Sequence, residues 1–103
     1  MATYFLHHSE ARADATPECN TNFVVDAASG SSLECGIGSI SSADGTVAVG
    51  TLAAATAEDA TAVGDRAAAS GEDSTAVGAN TEATGDDSTA IGESADATGD
   101  QST

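Results

Sequence analysis

TAVGDRAAASGEDS (61–74), TAVGANTEATGDDS (75–88) and TAIGESADATGDQS (89–102) are one 14-residue pattern written three times, and Thr103 opens a fourth copy. One period earlier, VAVGTLAAATAEDA (47–60) keeps Ala-Val-Gly and the Glu58-Asp59 pair, with Ala57 and Ala60 in place of the second glycine and the closing serine. One step further back, LECGIGSISSADGT (33–46) holds the register only at Cys35-Gly36. Self-similarity at a fixed period is the signature of a repeat architecture.

Fourteen is an even number, so a strand returns each residue to the same face in every repeat. Fourteen is also two heptads, which raises a coiled coil. Composition rejects it. Each clean copy carries two glycines, each costing about 1 kcal/mol in a helix, and places Thr, Val and Ser where a seam needs Leu. The pattern predicts an all-β parallel solenoid with one coil per repeat. Thr75-Ala76-Val77 reads as a short strand with Thr75 and Val77 on one face and Ala76 on the other. A second short strand is expected over 81–83, and Gly85-Asp86-Asp87-Ser88 as the returning turn. Gly50, Gly64, Gly71, Gly78, Gly85, Gly92 and Gly99 are the expected coil turns. Coils stack at roughly 4.8 Å, so Val49, Val63, Val77 and Ile91 form one column and Thr61, Thr75 and Thr89 another. Ala67, Ala69, Ala83, Ala95 and Ala97 let the chain pass closely inside each coil.

Of the 103 residues, 40% are apolar, but 23 of these are alanines. Sixteen are large, and only Val63, Val77 and Ile91 lie beyond residue 60. Three aliphatic side chains are too few to offset the conformational entropy of the last 43 residues. Either that segment is disordered or other chains complete its core. A single apolar stripe per chain is best covered by cyclic association, and three chains around a common axis are expected, with Val49, Val63, Val77 and Ile91 as the trimer core.

The net charge of -15, with Arg12 and Arg66 the only Lys or Arg residues, disfavours nucleic acid and anionic membrane surfaces as partners. No apolar run approaches the roughly 20 residues of a membrane helix. Met-Ala-Thr-Tyr-Phe-Leu-His-His at the N-terminus has no basic segment and no long apolar segment, so a cleaved secretion signal is not expected.

Ser74-Thr75-Ala76-Val77-Gly78, with Ala83-Thr84-Gly85 following, resembles the head repeat of YadA-type trimeric autotransporter adhesins, whose motif is close to S-V-A-I-G-x-x-A-x-A-x-G-x-x. The resemblance covers 61–102 well, 47–60 fairly and 33–46 weakly. It implies a homotrimeric left-handed parallel β-roll. Thr61, Thr75 and Thr89 depart from the family's first Val, which survives at Val47, so the core is thinner. The expected export signal, coiled-coil stalk and membrane barrel have no counterpart in the sequence. Similar repeats in bacteriophage fibres need none of them.

Residues 1–40 hold ten of the sixteen large apolar side chains. Tyr4-Phe5-Leu6 and Phe23-Val24-Val25 read as two short strands, with a loop from Glu10 to Asn20 around Pro17. They are the expected docking residues, engaging a capsid or tail protein by strand addition. Alternatively, they cap the open end of the solenoid.

Cys19 and Cys35 are the only cysteines. A disulfide across 16 residues would add about 3 kcal/mol. Cys35 falls in the Val49 register, however, and both are expected as buried free thiols. His7-His8 match no zinc spacing, and as strand neighbours they point to opposite faces. Glu58-Asp59, Glu72-Asp73, Asp86-Asp87 and Asp100 stack coil over coil. They could ligate Ca²⁺ as a ladder, but are expected as a solvated face. Serines and threonines recur by repeat and no nucleophile–base motif is present, so no catalysis and no cofactor are expected.

The sequence thus predicts residues 1–32 as an attachment or capping segment and 33–103 as a projecting β-roll shaft. The expected function is a trimeric capsid fibre or decoration protein at a phage virion surface, extending toward the host. The alternatives are a phage tail fibre or the head of a bacterial adhesin. A disordered acidic chain and an ice-binding solenoid are weaker fits, the latter because one Thr per coil precedes Ala and Val rather than a second Thr.

Overall fold

A computed structural model describes residues 19–21 and 32–103. Eleven short strands occur among them: β1 (Cys19–Thr21), β2 (Leu33–Cys35), β3 (Ile40–Ser41), β4 (Val47–Val49), β5 (Ala54–Ala55), β6 (Thr61–Val63), β7 (Ala68–Ala69), β8 (Thr75–Val77), β9 (Glu82–Ala83), β10 (Thr89–Ile91) and β11 (Asp96–Ala97). They form a six-stranded sheet ordered β1-β2-β4-β6-β8-β10 and a five-stranded sheet ordered β11-β9-β7-β5-β3. Strand pairs from β2 onward are parallel and offset by one period, as in Thr75↔Thr89 and Ala69↔Ala83. The chain is an all-β parallel solenoid of about five turns. Residues 33–46, where the repeat is faintest, form a full coil in register, with Leu33↔Val47 and Ile40↔Ala54.

The interior follows from strand alternation. Ala48, Ala62, Ala76 and Ala90 point inward from one sheet, and Ala55, Ala69, Ala83 and Ala97 from the other, all at most 3% exposed. Small side chains let the two sheets close on each other, and the largest fully buried residues are Thr46 and Thr81. Thr46 Oγ1 donates to Ala43 O at 2.8 Å and Thr81 Oγ1 to Gly78 O at 3.0 Å, so neither hydroxyl is stranded.

Two turns close each coil, and both have type II character. At Gly64-Asp65-Arg66-Ala67, Ala67 N donates to Gly64 O and Arg66 has φ +58°. At Gly71-Glu72-Asp73-Ser74, Ser74 N donates to Gly71 O and Asp73 has φ +57°. Positive φ at the third residue is what a type II turn requires, and glycine or asparagine usually supplies it. The first coil does use Gly38 and Gly45 there, whereas later coils use Leu52, Asp59, Arg66, Asp73, Asn80, Asp87, Ser94 and Gln101. Each of these residues turns its N–H to the preceding coil, as in Asn80 N to Asp65 O and Asp87 N to Glu72 O, both 2.8 Å. The turns therefore stack by hydrogen bonds as the strands do.

Glycine is demanded by contact as well as conformation. Gly78 has φ +136°, and a Cβ there would press on the backbone of Gly92 in the next coil. Gly85 has no positive φ, yet a Cβ there would meet the backbone of Gly99.

Two expectations are corrected here. Cys19 and Asn20, read as the end of a loop, belong to β1, which lies antiparallel on β2 in the register Cys19↔Cys35 and Thr21↔Leu33. Cys35 is not a free thiol: it is disulfide-bonded. The chain holds two cysteines, so Cys19 is its partner. The repeat register correctly puts Cys35 in the Val49 column but carries no information about a strand laid across it. The expected strands at Tyr4-Phe5-Leu6 and Phe23-Val24-Val25, and the His7-His8 pair, lie outside the described residues.

Candidate assembly face

Strands β4, β6 and β8 of the larger sheet repeat one burial pattern. The middle residue is inward and buried, while its two neighbours face out and stay partly covered. The strand registers place Val49, Val63, Val77 and Ile91 in one outward column. Val47, Thr61, Thr75 and Thr89 form the parallel column beside it. Val49, Val63 and Val77 are half-buried, and Ile91 is 68% exposed. With Val47 in the neighbouring column, these four side chains are the large aliphatics of the last four coils that the chain's own fold leaves facing outward on this sheet. From Val47 to Ile91 neither column contains a charged residue.

Charge gathers at the turns instead. Arg66 pairs with Asp65 at 3.1 Å, an exposed ion pair of little energetic weight. The opposite turn carries the acidic column, and here the expectation of a merely solvated face is incomplete. Asp86 Oδ1 accepts from Glu72 N at 3.1 Å, and Asp100 Oδ1 accepts from Asp86 N at 3.3 Å. These carboxylates reach one coil back and cap a turn N–H, so they join coils as well as carrying charge. Asp44, Gly45, Glu58 and Asp59 line a shallow depression on the same edge. Among the described residues no three His, Cys, Asp or Glu side chains converge to hold a metal ion.

Sequence reasoning missed two features at the N-terminal end of the shaft. Glu34 occupies the inward position that Ala48 fills one coil later. Its Oε2 accepts from Ser41 N at 3.0 Å and from Ser41 Oγ at 3.3 Å. In later coils the corresponding N–H faces a preceding strand; among the described residues β3 has none, and Glu34 caps this edge of the five-stranded sheet. The replacement of an inward alanine by an acid was the available signal. The second feature is a set of exposed apolar side chains, Ile37, Ile40 and Leu52, confined to the first two coils. Their counterparts in later coils include Asp65, Glu82 and Asn80, so this end differs chemically from the rest of the shaft.

Residues 55–81 and 83–103 match the family model for the YadA head domain repeat, in two copies. These coils are similar to the YadA head repeat. No curated protein and no solved structure gives a significant match to the chain. YadA head domains are trimeric in general, and a head repeat points to an adhesin-like or fibre-like structural role. The coils stack through continuous strand and turn hydrogen bonds, and the uncharged outward columns supply a face on which copies could pack. Among the described residues no helix is long and apolar enough to cross a membrane.

Proposed function

We propose that three copies of the chain pack through the Val49–Val63–Val77–Ile91 column to form a fibre-like structural protein on a bacteriophage particle. It acts as a capsid fibre or decoration, with 33–103 as the shaft and 1–32 as the attachment end. The observation that carries this reading is the division of apolar residues between the two sides of one sheet. Alanines fill the inside, while the larger aliphatics stand outside in a straight uncharged column. Such a column loses its contact with water only against another surface, and a threefold axis presents three identical ones to each other. The phage assignment rests on the concentration of large apolar residues at one end of a strongly acidic shaft, which suits docking at the base and solubility along the length.

The alternatives, a phage tail fibre and the head of a bacterial adhesin, share the trimer and differ in where it is displayed. Immunogold labelling separates them. Gold distributed over the capsids of intact virions supports the proposal, label at tail tips moves the protein to the tail, and label on bacterial cell surfaces assigns it to an adhesin. Deleting residues 1–20 should leave the trimer intact and remove it from the particle. A truncated trimer that still decorates particles would place attachment elsewhere.

A further inference from the structure

The first rung of the larger sheet is covered differently from every other. From β2 onward each strand of that sheet belongs to a coil whose other half is held in the second sheet, so two ladders and two turns fix it. Among the described residues β1 has no counterpart beyond β3, the terminal strand of the five-stranded sheet. It is three residues long and pairs antiparallel with β2. The edge it covers is otherwise an unpaired row of backbone groups, while the neighbouring edge at β3 is already capped by Glu34. Three residues of ladder cannot offset the entropy of ordering β1 and closing the chain between Thr21 and Leu33. The disulfide at Cys35 adds about 3 kcal/mol to the pairing.

We propose that the Cys19–Cys35 bond is a redox-controlled latch: oxidised, it holds β1 over the open rung of the shaft; reduced, it releases β1. The chemistry is thiol–disulfide exchange. A dithiol reductant gives up two electrons and two protons, the S–S bond breaks, two cysteine thiols form, and the reductant closes to its own disulfide. The shaft does not depend on the latch, because the coils from 47 onward stack through contacts that β1 never touches. In a reducing cytosol the latch is open and the edge of β2 can accept a strand; in oxidising surroundings it closes. The inference concerns one chain and stands or falls independently of the trimer and of the particle that carries it.

Amide hydrogen exchange read by mass spectrometry on the full chain tests it, with the oxidised protein, the protein in dithiothreitol, and the C19S/C35S variant compared. Protection in peptides spanning 19–21 and 33–35 should fall on the order of 100-fold on reduction, and the variant should match the reduced protein. Peptides within 61–102 should not change. Equal protection of β1 before and after reduction would overturn the latch, as would alkylation of both thiols in the unreduced protein. Loss of protection throughout 61–102 would also overturn it, since the bond would then be a staple for the whole fold.

Discussion

Gly78→Ala and Gly92→Ala are the same change at the same turn position, one coil apart, and the structure predicts unequal costs. Both glycines have strongly positive φ, +136° and +123°. Holding an L side chain in such a region costs about 1–3 kcal/mol, and this term is common to both. The environments differ. A methyl group at 78 would run into the Gly92 backbone, and Gly92 N is itself held 2.8 Å from Val77 O. Relief requires the coils to separate and that ladder to stretch, an overpacking cost of about 1–3 kcal/mol. At 92 nothing lies within 4 Å of the added carbon. Gly78→Ala should therefore destabilise by about 2–6 kcal/mol and Gly92→Ala by about 1–3 kcal/mol. Gly64→Ala, which meets the Gly78 backbone, should behave like Gly78→Ala. Denaturant unfolding followed by far-ultraviolet circular dichroism, with hydrogen exchange at residues 61–91 to localise the loss, measures the differences. Equal costs at 64, 78 and 92 would refute the steric argument and leave backbone conformation as the whole explanation.

Leu52 sits at φ +60° where Asn80 occupies the equivalent position two coils on. Leu52→Asn should raise stability by about 1 kcal/mol in the same denaturation assay, because asparagine tolerates the left-handed region. Glu34→Ala restores the alanine of the other coils yet strips Ser41 N of its acceptor; a loss of about 1–2 kcal/mol is expected, with exchange at Ser41 accelerated and exchange at 75–91 unchanged. Ala76→Val places two extra methyl groups in an interior where Ala76 is fully buried, and a lower melting temperature equivalent to about 1–3 kcal/mol should follow.

The shaft was legible in the sequence because an even period fixes the face of every residue. The alternation alone orients Thr75-Ala76-Val77, and Ala76 does point inward. The first coil was harder to read because its departures from the repeat are adaptations to being first. Glu34 stands where an alanine would be, and Gly38 and Gly45 supply the positive φ that other coils obtain from Leu52 and Asp59. β1 left no trace, since Cys19-Asn20-Thr21 has no apolar alternation and its pairing is a tertiary event. The free-thiol reading of Cys35 failed for the same reason. The positive-φ column was equally hidden, because Leu52 and Arg66 are poor left-handed residues and hold that conformation through N–H bonds to Ile37 O and Thr51 O. The role of the turn acids was only half visible. Recognising that Asp86 and Asp100 cap the coil below requires knowing how near that coil lies.

The mass of the native particle tests the central claim most directly. Sedimentation equilibrium of the oxidised chain, beside a Val77→Asp variant that puts a charge in the uncharged column, should give three chains per particle for the first and dissociated chains for the second. A wild-type protein that sediments as a folded single chain, or a variant that remains trimeric, would contradict packing through this face.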